Sequence, residues 1–219
     1  WMSSAQLYQS SLSMVPEQDT LKAGELHEWI GNSYFYAACQ ADNVEEFKKR
    51  IQMSVQSYDK ATALFENVDS TKSLYCKAMA KYSDAWYAEA PSQKKESLDE
   101  CWRLLKEALE AFDTSRNNAG YGKAYRYLAL CLWARITFAD DWHEIKGIVK
   151  EAIEYGQNAI AKLTPTQNTN ELLWAYSFTS FFAASWLDYF EERRAELIST
   201  VSDYLQKALK LDKIEDAYA

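Results

Sequence analysis

The chain of 219 residues is predicted to be all-α and to consist of antiparallel helical hairpins. Turn-forming residues are scarce, with 6 Gly and 3 Pro, which argues against a protein of many short strands. Apolar residues make up 48% of the chain and aromatic residues 15%, enough for a folded core. One short pattern also recurs at intervals near 49 residues, which is typical of a helical repeat protein.

The recurring pattern is the end of a helix, centred on an alanine. The four alanines lie 47, 51 and 49 residues apart and are Ala61, Ala108, Ala159 and Ala208. A small or medium side chain precedes each alanine by seven positions, at Ser54, Cys101, Ala152 and Val201. Two helical turns separate the two positions, so both line one face of the helix. We expect a neighbouring helix to approach closely along that face.

The pattern divides residues 1–219 into one array of repeats. Residues 1–16 are predicted to be the end of a preceding repeat, because Ser11 lies 50 positions before Ala61. Four repeats follow, at 20–66, 71–113, 119–164 and 169–212. Their first helices are predicted at 20–41, 71–89, 119–140 and 169–190. Since the chain opens with Trp1 before Met2, and a repeat array needs capped ends, we expect it to be part of a longer protein.

Two motifs resemble the tetratricopeptide repeat (TPR) family. The segment 30–35, Ile-Gly-Asn-Ser-Tyr-Phe, is similar to the family's first-helix signature, a Leu-Gly pair followed by an aromatic residue. The segment 159–165, Ala-Ile-Ala-Lys-Leu-Thr-Pro, is similar to its closing signature. Repeats near 49 residues exceed the family's 34, so the resemblance is to an elongated variant. It implies a right-handed superhelix, or α-solenoid, of antiparallel hairpins.

Composition limits the classes of partner. The net charge is −8 and the sequence pI about 4.9, whereas nucleic-acid binding depends on basic patches, so no nucleic-acid partner is predicted. The longest uncharged stretch, 172–187, is short and carries hydroxyl groups, so no membrane insertion is predicted. The four cysteines form no CxxC pair and are interpreted as free thiols of a cytoplasmic protein.

Catalytic motifs are absent from the sequence. The chain has two histidines, His27 and His143, and no HExxH, G-x-S-x-G or P-loop pattern. Asp140 and His143 lie on one helical turn, but a di-metal site would need a second such pair. We therefore predict no catalytic residue, no metal ligand and no cofactor, and we do not expect an enzyme.

The TPR resemblance implies a binding groove, because the family's first helices line a concave face where peptides bind. The residues that this implies are Asn32, Phe35, Lys72, Tyr75, Lys123, Arg126, Trp133, Trp174, Phe178 and Phe181. Lys123, Arg126 and Trp133 share one helical face and suit a ligand with acidic and apolar side chains. On this hypothesis, Arg126→Ala weakens binding and leaves the fold nearly unchanged. The competing interpretation packs the aromatic residues between repeats and leaves Lys123 and Arg126 as solvated charges.

The predicted function is a protein-protein interaction module, part of a larger protein, that binds a peptide segment or partner helix in an aromatic groove. Self-association through the open ends of the array is a further expectation for partners. The alternative is a ligand-sensing or regulatory region of a larger signalling or transcription protein. An enclosed pocket of small-molecule size favours the alternative, and an open groove favours the interaction module.

Overall fold

The structure, a computed structural model, describes residues 1–166, 168–187 and 194–216. Throughout these ranges the regular structure is helical and contains no strand, so the all-α prediction is confirmed for them. The helices are α1 (Met2–Leu12), α2 (Thr20–Ala38), α3 (Val44–Phe65), α4 (Ser70–Tyr87), α5 (Pro91–Thr114), α6 (Asn118–Ile136), α7 (Trp142–Leu163), α8 (Thr169–Leu187) and α9 (Arg194–Asp216). None of these helices has an apolar stretch long enough to cross a lipid bilayer.

The chain forms two compact units, and the boundary between them falls within α5. Unit 1 is Trp1–Ala108, in which α1 packs on α2, α2 on α3, and α3 on α4. Unit 2 is Leu109–Ala219, in which α6 packs on α7, α7 on α8, and α8 on α9. In unit 2, α6 also contacts α8, although α7 lies between them in sequence. The single array and its repeat boundaries stay predictions.

Six of the described helices begin at a capping residue that the sequence supplies; in α8 it is Asn168, whose Oδ1 accepts a hydrogen bond from the Glu171 N–H at 3.3 Å. The side chains of Asp19, Asn43, Asp69, Asn117 and Asp141 each accept a hydrogen bond from the backbone N–H three residues later, at 2.9–3.0 Å. Each bond satisfies a backbone donor that has no partner inside its helix, which stabilises the start of the helix. The positions at which these helices begin are therefore determined by residues next to them in the sequence.

Small residues allow the helices of a hairpin to approach closely. Gly31 in α2 lies against the ring of Tyr58 in α3, where an added Cβ would be 3.0 Å from ring carbons. Ser54 donates a hydrogen bond to the Gly31 carbonyl oxygen at 2.8 Å, and its Oγ lies 3.2 Å from that of Ser83 in α4. Ser54 therefore links α3 to the helix on either side. The recurring alanines are buried as well: Ala61, Ala108 and Ala159 are 0% exposed and Ala208 is 6% exposed.

The burial of Ala159 leads to a stability prediction. Ala159→Leu places extra bulk where no space is left, and such overpacking typically costs about 1–3 kcal/mol. The exposed Ala161 on the same helix supplies the control, because Ala161→Leu points its added atoms to solvent. Urea unfolding of both variants measures the difference. Equal stability of the two variants would contradict the packing of α7 around Ala159.

Candidate functional site

In unit 1 the residues expected in the groove are mostly buried. Asn32, Phe35 and Tyr75 are 9%, 7% and 3% exposed, respectively. The Phe35 ring contacts the ring of Tyr82 in α4, with 5.4 Å between centroids, and Tyr82 in turn meets the edge of Trp86 at 6.3 Å. These side chains therefore hold α2 and α4 together and leave little surface for a ligand.

Lys72 joins the same two helices by an ion pair. Its Nζ donates a hydrogen bond to Glu25 Oε1 at 2.9 Å, and it lies over the ring of Phe65 at 5.3 Å from the centroid. Burial lowers the pKa of the Lys72 ammonium, but the hydrogen bond and charge of Glu25 outweigh it, and the net shift is upward. The Lys72 ammonium group is therefore already paired with a carboxylate inside unit 1.

In unit 2 a buried ion pair connects α6 to α8. Arg126 Nη1 lies 3.6 Å from Glu171 Oε1, and each of the two side chains is only 10% exposed. Gly122, one turn before Arg126, makes this approach possible, because an added Cβ there would lie 3.2 Å from Cβ of Glu171 and closer still to Leu163. Glu171 is in the first turn of α8, where the helix dipole favours a negative charge.

In this pair, burial opposes the attraction between the two charges. Burial raises the pKa of the Glu171 carboxyl, the charges of Arg126 and Lys123 lower it, and the net shift is upward. The second carboxylate oxygen, Oε2, is buried and accepts no hydrogen bond from the described residues. Desolvation of the two charges thus offsets much of their attraction, yet the loss of either partner would leave the other charge buried and uncompensated.

Aromatic side chains continue from the ion pair along α8. The Arg126 guanidinium lies 5.0 Å from the ring centroid of Tyr127 and 5.7 Å from that of Trp174. Trp174 stacks on Phe178 at 5.4 Å between centroids. Trp174 and Phe181 are 37% and 45% exposed, so the row of rings faces solvent on one side.

Helix α6 carries a matching exposed ring. Trp133 lies seven residues after Arg126 and is 47% exposed, just as Phe181 lies seven residues after Trp174. Each helix therefore has an exposed aromatic residue two turns after Arg126 or Trp174, the two residues whose side chains contact each other. We call this set the aromatic face of unit 2. It consists of Lys123, Arg126, Trp133, Trp174, Phe178 and Phe181.

Some members of the aromatic face contact one another. The structure brings Arg126, Trp174 and Phe178 together, and Lys123 lies near enough to Glu171 to lower its pKa. Sequence reasoning did not include Glu171 in the site. The signal that could have identified it is a carboxylate in a first helical turn, 45 residues after Arg126 and so near the repeat interval.

The described residues also line open clefts. A cleft of about 390 Å³ between α8 and α9 is lined mainly by apolar side chains, namely Leu173, Trp174, Ser177, Leu205, Ala208 and Leu209. A cleft of about 1070 Å³ lies in unit 1 between α4 and α5, and charged side chains of both signs line it. Among the described residues, no group of three or more His, Cys, Asp or Glu side chains is arranged to hold a metal ion.

Comparison with known proteins does not assign a family. No protein family and no curated protein matches the chain. Among solved structures, the chain is similar to one described as "DHF38 filament", at 12% sequence identity and a TM-score of 0.41. The similarity covers 90% of this chain and 95% of that chain. A likeness of this extent supports no inference about family or function.

Proposed function

We propose that the chain is a protein-protein interaction module of the TPR-like kind, which holds a peptide segment or a partner helix against the aromatic face of unit 2. The observation that carries the proposal is the exposure of Trp133, Trp174 and Phe181, at 47%, 37% and 45%, on two helices in contact. Clustered exposed apolar side chains mark interaction sites, and Trp residues often contribute most of the binding energy. The right-handed superhelix is part of this proposal.

The placement of the charges limits the class of ligand that would bind. Glu171 already pairs with Arg126, so a partner gains more from the rings than from the guanidinium group. Lys123, half-buried near the start of α6, adds positive charge at that end of the face. We therefore propose a segment with apolar side chains as the main anchors and an acidic residue at the Lys123 end. Because Asn32, Phe35 and Tyr75 are buried, the proposal places no ligand contact in unit 1.

The proposal is tested with peptides selected by phage display on the immobilised protein and then titrated by calorimetry. Trp133→Ala and Phe181→Ala should each weaken the selected peptides by about tenfold or more, since truncation of an aromatic anchor commonly costs about 2 kcal/mol or more. Trp142→Ala is the matched control, because Trp142 is 46% exposed and lies at the start of α7. The Trp142→Ala variant should bind the selected peptides with the affinity of the wild type.

Equal losses in all three variants, or no loss in any, would move the binding site off the aromatic face. If no peptide is retained and a small molecule raises the melting temperature instead, the ligand-sensing alternative replaces the interaction module.

A further inference from the structure

Both units contain an ion pair between two helices that are separated in sequence by one other helix. In unit 1 it joins Glu25 of α2 to Lys72 of α4, and in unit 2 it joins Arg126 of α6 to Glu171 of α8. The partners are 47 and 45 residues apart, which is near the repeat interval. The two pairs therefore occupy similar places in the repeat pattern, with the acidic partner on the earlier helix in unit 1 and on the later helix in unit 2.

The two pairs differ in distance and in contact with water. Lys72 Nζ donates a hydrogen bond to Glu25 Oε1 at 2.9 Å, and the two side chains are 26% and 33% exposed, respectively. Arg126 Nη1 lies 3.6 Å from Glu171 Oε1, and both side chains are only 10% exposed. A hydrogen bond to a carboxylate favours its charged form, whereas burial favours the neutral form. The geometry therefore favours a charged carboxyl group in unit 1 and a neutral one in unit 2.

The Glu171 carboxyl group has little to stabilise its negative charge. Its Oε2 atom is buried and accepts no hydrogen bond from the described residues. The charges of Arg126 and Lys123, both on α6, favour the charged form, but burial outweighs them and the net shift of the Glu171 pKa is upward. By contrast, the hydrogen bond from Lys72 lowers the pKa of Glu25. The two carboxyl groups are therefore expected to respond to pH in opposite directions.

Other charged groups of unit 2 are paired away from Glu171. On α7, the side chain that meets Gly122 alongside Glu171 is the apolar Leu163. The ion pairs of α7 and α9 that involve a lysine near these contacts are Lys162 with Asp113 and Lys207 with Asp203. The charges that face the Glu171 carboxyl group thus come from α6.

We propose that the contact between α6 and α8 is a pH-sensitive device, in which a proton taken up by Glu171 stabilises the packing of α8 on α6. A group that binds a proton more strongly in the folded state than in the unfolded state stabilises the fold as the pH falls. The contribution of Glu171 to the stability of unit 2 therefore rises as the pH falls from neutral towards about 4.3, the ordinary pKa of a solvated glutamate.

Unit 1 responds in the opposite sense and in a lower pH range. The pKa of Glu25 is lowered in the folded state, so its contribution to stability is fully present well above about pH 4.3 and is lost only as the pH falls below that value. Mild acid should thus stabilise the α6–α8 contact and leave the α2–α4 contact unchanged. Because Trp133 is on α6 and Trp174 is on α8, the device also holds the two halves of the aromatic face together. It operates without a ligand, so its test is independent of peptide binding.

Replacing Glu171 with glutamine tests the device, because glutamine has nearly the shape of the protonated carboxyl group and does not titrate. The free energy of unfolding in urea is measured for the wild type and for Glu171→Gln from about pH 7.5 down to about pH 5. The wild type should gain stability relative to Glu171→Gln as the pH falls across this range. Only the difference in pH dependence is compared, so a constant cost of losing the ion pair with Arg126 does not affect the result.

Glu25→Gln is the matched control in unit 1, because Glu25 is also paired with a cation but has a lowered pKa. The difference in stability between the wild type and Glu25→Gln should stay constant over the same pH range.

A second measurement uses the wild type alone and does not depend on the folding of a variant. The carbon-13 NMR signal of the Glu171 side-chain carboxyl carbon is assigned through bonds to the backbone amide of the same residue and followed with pH. Its titration midpoint should lie above those of the solvated glutamates, and the midpoint of Glu25 should lie below them.

Either of two results would overturn the proposal. One is a Glu171 midpoint at or below those of the solvated glutamates, which would show that the pair in unit 2 is solvated. The other is the same pH dependence of stability in the wild type and in Glu171→Gln.

Discussion

Replacing Arg126 with alanine should destabilise unit 2 by about 3–5 kcal/mol, the usual cost of removing one partner from a buried ion pair. Glu171 would remain only 10% exposed at its side chain and would lose the cation that offsets its desolvation. Burial raises the pKa of the Glu171 carboxyl even though the charges of Arg126 and Lys123 lower it. Loss of Arg126 would therefore make the charged carboxylate less stable still. The sequence-based expectation of a nearly unchanged fold in Arg126→Ala does not fit this burial.

A double variant separates the charge effect from the loss of packing. Arg126→Leu with Glu171→Leu removes both charges and should recover a large part of the stability lost by Arg126→Leu alone, because apolar replacements of buried pairs are often close to neutral. The coupling is obtained from a double-mutant cycle by urea unfolding. Additive losses in the cycle, or a loss below about 1 kcal/mol in Arg126→Ala, would show that the pair is solvated as a surface pair is.

The second large effect is expected at Gly156, where α7 meets α6 and α8. A Cβ at this position would lie 2.6 Å from the Tyr125 hydroxyl oxygen and within the contact distance of Thr179 Oγ1. Tyr125 Oη and Thr179 Oγ1 are themselves 3.2 Å apart in a buried hydrogen bond, so neither can yield easily. Gly156→Ala should therefore destabilise by about 1–3 kcal/mol through overpacking.

Gly147 provides the matched control on the same helix. Outside the adjacent residues and the backbone of α7 itself, no atom lies within 4 Å of a Cβ built on Gly147. Gly147→Ala should therefore stabilise by about 0.5–1 kcal/mol, the usual gain of alanine over glycine in a helix. Opposite signs for two identical substitutions in α7 are thus the expected result of thermal unfolding. If Gly156→Ala also stabilises, the close approach of α7 and α8 at this point is wrong.

Much of the helix pattern was predictable from the sequence because its signals are local. The first helices predicted at 20–41, 71–89, 119–140 and 169–190 correspond to Thr20–Ala38, Ser70–Tyr87, Asn118–Ile136 and Thr169–Leu187. The starts agree closely, since capping residues such as Asp69 and Asn117 act on the adjacent backbone. The ends of the first three were extended too far, because apolar spacing continues past the last helical turn. The final residues of the fourth prediction, 188–190, lie outside the described residues.

Local signals did not show which residues of a helical face are covered. Arg126 and Trp133 share a face of α6 by their spacing, yet Arg126 is 8% exposed and Trp133 is 47% exposed. The difference comes from α8, which approaches α6 near Gly122 and brings Glu171 to Arg126. In unit 1 the contact of Phe35 with Tyr82 likewise buries a ring that the TPR resemblance had assigned to a groove.

Helix periodicity and the recurring alanines were sufficient to specify the helices, their breaks and the close-packed faces, because those properties depend on neighbours a few residues away. The burial of the ion pair and the exposure of the aromatic face depend on side chains about 45 residues apart. Such contacts arise only when the helices pack, since packing, and not spacing, sets which atoms meet water.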